Sequence, residues 1–275
     1  MIIGITGLTE DKHGGKSIAG SGKDTTAEQL VDKHQFVSVA LADPMKRFCM
    51  EVFNFTEEQL FGPSEMRNKP DERYKRPLAE WDEAIVHGLQ VPREYVLTPD
   101  MCHLTPRYAL QCLGSEWGRD CYEDVWIDYC LRICYVLLGD EGGWMYRRTE
   151  GLISQWEETS EGSWRNDDAP PNGKYKGVVI PDVRFINEFN RIKEAGGKVW
   201  RVKRRIDSIP GELGEGHLSE RELLDTPDDQ FDAIFPNEGD IHHLHLLVDA
   251  VMARESGRII DYDEKQQDVP PYKRE

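Results

Sequence analysis

The feature that most constrains this chain is the stretch Ala19-Gly20-Ser21-Gly22-Lys23-Asp24-Thr25-Thr26, set between an apolar strand and an amphipathic helix. Glycines let successive backbone N–H groups curl around an anion without a Cβ clash. A helix starting directly behind them adds the partial positive charge of its N-terminus. Ile2 to Ile5 is a short apolar run beside Gly4 and Gly7 and reads as a buried strand. Ala27, Leu30, Val31 and His34 fall at i, i+3, i+4 and i+7, which is one helix face. Phe36 to Leu41 reads as a second strand. Asp43-Pro44 supplies a cap and a first-turn proline for another helix. This β-loop-α-β-α rhythm predicts an α/β fold with a parallel sheet.

The loop does not match the usual phosphate-binding spacing. G-x-x-x-x-G-K-[ST] asks for a glycine where Ser17 stands, and Asp24 takes the hydroxyl position, with Thr25 after it. A rival Gly15-Lys16-Ser17 lies upstream, with Glu10 in its first glycine position. The helix periodicity favours Gly22-Lys23, but the loop after Gly7 is several residues too long. An ordinary glycine-rich turn is the plain alternative.

Further along, residues 62–104 are polar, charged and broken by prolines, an insertion over the sheet with some helix around Leu78 to Val86. Thr105-Pro106 opens a helix whose apolar face is Ala109, Leu110, Leu113 and Trp117. A second helix carries Trp126, Cys130, Ile133, Cys134 and Leu137. Residues 139–176, with Trp144, Trp156 and Trp164, read as an extra loop or subdomain. Gly177 to Ile180 reads as a buried strand and Phe185, Phe189 and Ile192 as a helix. Lys198 to Val202 and Phe231 to Phe235 read as strands, and Ile241, Leu244, Leu247, Val248 and Val251 as the last helix. A single domain over 1–257 with a polar tail, 258–275, is expected.

Charge narrows the function classes. Asp plus Glu number 51 against 34 Lys plus Arg, a net charge of −17, so no nucleic-acid partner is expected. No apolar run approaches the roughly 20 residues of a membrane span. Met1-Ile2-Ile3-Gly4-Ile5-Thr6 lacks the basic start of a signal peptide, so a soluble cytoplasmic protein is expected. The six cysteines form no C-x-x-C pair and read as small buried thiols. His242, His243 and His245 read as exposed or satisfied histidines, not as a metal site.

Four blocks in order carry a resemblance. They are Gly20-Ser21-Gly22-Lys23-Asp24-Thr25, Leu41-Ala42-Asp43-Pro44-Met45-Lys46, Leu113-Gly114-Ser115-Glu116-Trp117-Gly118-Arg119 and Pro181-Asp182-Val183-Arg184-Phe185-Ile186-Asn187-Glu188. A weaker fifth is His217-Leu218-Ser219-Glu220, with Asn237-Glu238-Gly239 beyond it. Together they resemble the deoxynucleoside monophosphate kinases of tailed phages, within the P-loop kinase superfamily. In that family GKDT is the usual form, which accounts for Asp24.

The resemblance implies a three-layer P-loop kinase fold, a parallel sheet flanked by helices, with insertions and a lid over about 204–230. It implies transfer of the γ-phosphate of ATP, with Mg²⁺, to the 5′-phosphate of a deoxynucleoside monophosphate. Gly20, Ser21, Gly22, Lys23, Asp24, Thr25 and Thr26 would hold the ATP phosphates, Lys23 also stabilising charge in transfer. Mg²⁺ would fall to Asp24 and Thr25, Arg204 or Arg205 would stack on adenine or touch phosphate, and Asp182 and Arg184 would be catalytic. Asn187 and Glu188 would brace their turn. On the acceptor side stand Asp43, Lys46, Arg107, Gln111 and Arg119. Arg107, Gln111, Ser115 and Arg119 are spaced by four, a polar row along one helix. For Lys46 and this row, a solvated surface stays open. A homodimer is an option because related kinases often dimerise, and a phage-encoded chain would work in the host-cell cytoplasm. The competing functions are a kinase for hydroxymethylated bases in DNA and a non-catalytic ATP-binding scaffold.

Overall fold

The computed structural model describes residues 1–77, 96–98, 101–139, 175–207 and 222–257. The helix expected at Leu78–Val86, nearly all of 139–176, the centre of the lid region with His217-Leu218-Ser219-Glu220, and the tail 258–275 lie outside the described residues.

Strand and helix alternate from the first residues. β1 (Ile2–Asp11) turns back through β2 (Lys16–Ser17), and α1 (Lys23–His34), β3 (Phe36–Ser38) and α2 (Asp43–Phe53) follow. α3 (Glu57–Phe61) and α4 (Ser64–Asn68) lead into β4 (Asp71–Pro77), β5 (Val96–Thr98) and β6 (Met101–Leu104). α5 (Pro106–Gln111) runs directly into a π-helical segment, Cys112–Arg119, followed by α6 (Val125–Leu138). β7 (Gly177–Ile180), α7 (Ile186–Glu194), β8 (Lys198–Ile206), β9 (Ala233–Pro236) and α8 (Ile241–Glu255) complete the described chain.

The main sheet has the order β3-β7-β1-β8-β9, and every pairing along it is parallel. Helices cover both faces, so the central strands are apolar throughout. On one face α6 and α7 pack over Ile2, Val178, Ile180 and Val199. On the other, α1 and α8 pack over Ile3, Ile5, Trp200 and Val202. This is the expected three-layer α/β architecture with a parallel sheet flanked by helices. A smaller antiparallel sheet, β4-β6-β5, sits in the insertion, where Cys49, Phe55, Leu60, Leu104 and Ala109 form a separate core.

Packing inside the main sheet leaves no spare room at Gly177. A Cβ there would lie 2.3 Å from the Phe36 ring on the neighbouring strand, and the ring is itself buried. Gly177→Ala therefore lowers stability by about 1–3 kcal/mol, the range for overpacking a filled core, read as a lower denaturant midpoint at unchanged slope.

Several boundaries differ from expectation. β1 runs to Asp11 rather than Ile5, and β8 to Ile206 rather than Val202, because the two extensions pair with each other from Leu8↔Lys203 to Asp11↔Ile206. β3 ends at Ser38, and β9 begins at Ala233, leaving Phe231 before it. Ala42, not Asp43, caps α2. Asp43 is the first helical residue, and its carboxylate accepts the Ala40 N–H at 3.3 Å. Trp117 is 61% exposed and not part of an apolar face, because the helix widens into the π-helical segment before reaching it. Four of the six cysteines are buried as expected, but Cys112 is half-buried and Cys121 exposed. Among the described residues, no helix is long and apolar enough to cross a membrane.

Candidate active site

The expected long loop at 8–19 is a β-hairpin. Thr9 pairs with Ser17 and Glu10 with Lys16, while the Asp11 carboxylate accepts the His13 and Gly15 N–H groups at the tip. Leu8 and Ile18 bury their side chains with Leu224 at its base. Gly7 and Ile18 therefore stand side by side. A Cβ on Gly7 would lie 2.4 Å from the Ile18 carbonyl oxygen and 2.2 Å from Ser21 Oγ. Read across the hairpin, Gly7 followed by Ile18-Ala19-Gly20-Ser21-Gly22-Lys23 spells G-x-x-x-x-G-K. The spacing that fails along the chain is met in space, with residues 8–17 inserted after the first glycine. Gly22-Lys23, and not Gly15-Lys16, stands at the start of α1.

Gly22 caps α1 with φ 100°, and a Cβ there would meet Asn237 Nδ2 at 2.4 Å. That position needs glycine both for backbone and for space. Asn237 Nδ2 in turn donates to the Ser21 carbonyl at 2.8 Å, and Arg204 Nη1 to the Gly20 carbonyl at 3.2 Å. Thr9 Oγ1 donates to the Ala19 carbonyl at 2.7 Å. These bonds occupy the carbonyls of three successive loop residues, Ala19, Gly20 and Ser21. Thr26 is fully buried, and its hydroxyl donates back to the Gly22 carbonyl at 3.1 Å. In this conformation it braces the loop rather than facing a phosphate.

Lys23 is the first residue of α1, with only 13% of its side chain exposed. Its Nζ lies 2.8 Å from Asp24 Oδ1 and 3.5 Å from Asp182 Oδ1. Asp182 follows the end of β7, in the turn that carries Arg184. The Arg184 Nε and Nη2 both reach Asp182 Oδ2, at 2.9 and 2.8 Å. Burial pushes the Asp182 carboxyl up, but Arg184 and Lys23 outweigh it and hold it below the usual carboxylate value. Asp182 Oδ1 is buried, and among the described residues it makes no contact closer than that to Lys23 Nζ.

Lys46 looks in from the first turn of α2, with Nζ 4.4 Å from the centre of the Phe61 ring. Burial lowers its pKa, Asp43 and Asp182 oppose that shift, and Arg67 adds to it. Arg67, which the sequence reading passed over, donates to the Gly62 and Leu60 carbonyls on either side of Phe61. Only its basic charge in a polar insertion could have flagged it.

The expected polar row does not form one stripe, because a π-helical segment changes the residue spacing per turn. Trp126 Nε1 donates to the Gly114 carbonyl at 2.8 Å inside that segment. Arg107 Nε donates to Asn68 Oδ1 on α4, and Gln111 Oε1 is buried without a partner among the described residues. Arg119 lies 3.5 Å over the Phe185 ring and donates to Asn187 Oδ1 at 3.2 Å. Its side chain is 15% exposed, so it supports the Asp182–Arg184 turn from behind. Asn187 also donates to Asp124 Oδ1, and Glu188 accepts two backbone N–H groups of the turn.

On the far side of the phosphate loop an open groove of about 780 Å³ runs between Gly22-Lys23 and the start of α8. Arg204, Asn237, Asp240 and His242 line it. Arg205, the next strand residue, projects to the opposite face.

No protein-family model matches the chain. A curated protein of Acanthamoeba polyphaga mimivirus, named "Putative deoxynucleotide monophosphate kinase", is 28% identical over 236 residues, covering 86% of this chain and 91% of that protein. The likeness read from the ordered blocks is thus met by a distant relative along most of both chains.

Proposed function

We propose that this distant relative of a viral nucleotide kinase moves the γ-phosphoryl group of ATP to the 5′-phosphate of a deoxynucleoside monophosphate. The observation that carries the proposal is the cluster Lys23–Asp182–Arg184 beside a glycine loop whose G-x-x-x-x-G-K spacing is met across a hairpin. Phosphoryl transfer needs little covalent help from the protein. It needs in-line positioning and neutralisation of charge on the moving group.

Each group has a part on those terms. The loop N–H groups and the α1 N-terminus bind the β- and γ-phosphates, and Lys23 follows the γ-phosphate as a fixed cation. Arg184 swings from Asp182 onto the transferring phosphoryl, where its planar fork matches two oxygens. Lys46, with Arg67 beside it, meets the acceptor phosphate. The groove toward α8 takes the donor nucleoside, with Arg204 on its wall.

The residues present fit Mg²⁺. Asp182 Oδ1 and the exposed Asp24 carboxylate flank the Lys23 ammonium and supply the hard anionic oxygens that Mg²⁺ takes. Among the described residues there is no three-ligand cage, and Mg²⁺ in such sites takes one or two carboxylates plus substrate phosphates. Asp24 and Thr25 would hold it and Asp182 would orient its water. When bound it supplies charge neutralisation between the phosphates.

The test follows ADP and diphosphate formation from ATP and each deoxynucleoside monophosphate, modified pyrimidines included. Diphosphate from one or more acceptors is expected. Transfer to hydroxymethylated bases in polymer DNA but not to free nucleotides would overturn the acceptor, and ATP binding with no transfer at all would leave a scaffold.

A further inference from the structure

The turn between β7 and α7 carries both Asp182 and Arg184, and it has no regular structure of its own. Its backbone donors show what fixes it. Val183 N–H is bound by the Ile5 carbonyl of β1 at 3.0 Å. The next two, Arg184 N–H and Phe185 N–H, both go to one oxygen, Glu188 Oε2, at 2.8 and 3.1 Å. Ile186 N–H goes to Glu222 Oε2 at 3.0 Å. Glu188 is 4% exposed, so water does not replace it as acceptor.

We infer that Glu188 is a positioning residue for phosphoryl transfer, holding the backbone of Arg184 and Phe185 so that the Arg184 guanidinium pairs with the Asp182 carboxylate that faces Lys23. This rests on the kinase proposal above. A buried carboxylate that accepts both amides fixes two adjacent peptide planes at once, and a misplacement of ~1 Å at such a group is enough to cost about 100-fold in rate. ATP binding through the loop and α1 does not run through this turn, so the effect falls on kcat.

The groups facing Glu188 come from several elements. Arg119 of the π-helical segment has Nη1 4.0 Å from Oε1. Asp182 and Arg184 face it from the turn and Cys130 from α6, with Asp43 of α2 acting on Cys130. Burial dominates, and it pushes the Glu188 carboxyl up to about 7. Two consequences of opposite sign follow. The ionised form accepts the two N–H groups more strongly, so transfer gains as pH rises through about 7. A raised carboxyl contributes stability at pH below the ordinary carboxylate range and loses it as pH rises through the folded value.

The experiment compares wild type with Glu188→Gln and Glu188→Ala. The Ala variant is expected to lose about 10- to 100-fold in kcat with KM for ATP within about threefold. Gln, which keeps an acceptor oxygen, restores most of kcat at acid pH. The wild-type to Gln ratio of kcat then climbs through neutrality, a comparison in which titration of the acceptor phosphate cancels. Hydrogen exchange at the Arg184 and Phe185 amides needs no substrate, and it is expected to quicken in Ala and not in Gln. Unchanged exchange in Ala overturns the inference, as does quickened exchange with kcat intact. If Ala does not fold, a pH-independent wild-type to Gln ratio overturns it. A wild type that transfers to no acceptor brings down the kinase proposal and the positioning role with it, an outcome told apart by the wild-type assay alone.

Discussion

Arg184→Ala removes about 10³-fold or more of kcat and leaves the fold intact. The guanidinium lies against Asp182 through two nitrogens, and Lys23 sits on the other oxygen of the same carboxylate. Among the described residues, Arg184 is the planar cation paired with Asp182. An arginine that neutralises the phosphoryl group in transit is worth 10³ to 10⁵ in comparable enzymes, roughly 4–7 kcal/mol of barrier. The fold survives because Arg184 ties its turn to Glu188 through the backbone N–H, which alanine keeps. Arg184→Lys falls short as well, since an ammonium cannot make the two-pronged contact. The check is a steady-state ADP assay beside a circular-dichroism melt. A folded Ala variant within about tenfold of wild type would remove Arg184 from the transfer step.

Lys23→Ala is expected to be nearly as severe, about 10²- to 10³-fold in kcat, the usual loss when one fixed transition-state charge is deleted. ATP affinity weakens as well, because Lys23 closes the phosphate cradle while Asp24 and Asp182 remain. Those two carboxylates then face the phosphates without a cation between them, and the Asp182 carboxyl moves up toward its ordinary value. Stability changes little, since the Lys23 ion pairs are partly solvated and such pairs contribute about 0–1 kcal/mol. Titration of ATP by calorimetry alongside the turnover assay separates the two effects. Unchanged kcat with weakened binding would make Lys23 a binding group only.

Much of this site was legible in residues whose chemistry is local. Ile2-Ile3-Gly4-Ile5 and Gly177 to Ile180 announce buried parallel strands because both faces are covered. Lys23, Asp182 and Arg184 sit at strand and helix ends, where an α/β sheet gathers its polar groups. What was illegible depends on partners far away in the chain. Leu8 to Asp11 is too polar to read as strand, and it becomes one only because Lys203 to Ile206 extends beside it. Thr26 looks like its neighbour Thr25 until helix geometry turns its hydroxyl onto the Gly22 carbonyl. The spacing of Arg107, Gln111, Ser115 and Arg119 assumes an α-helix. Gly114 and Gly118, with Trp126 packed against Gly118 and bonded to the Gly114 carbonyl, make it something else.

The hairpin at 8–17 also makes the glycine loop behind it modular. Its two legs are zipped together just above Gly7 and Ile18, so the tip at Lys12 to Gly15 stands apart from the loop at Gly20 to Lys23. Lengthening a loop already closed at its base costs only ~0.6 kcal/mol per doubling. The tip is therefore a port for grafting. A fluorescent peptide or an affinity epitope spliced between His13 and Gly14 would ride on the hairpin without entering the loop at Gly20 to Lys23.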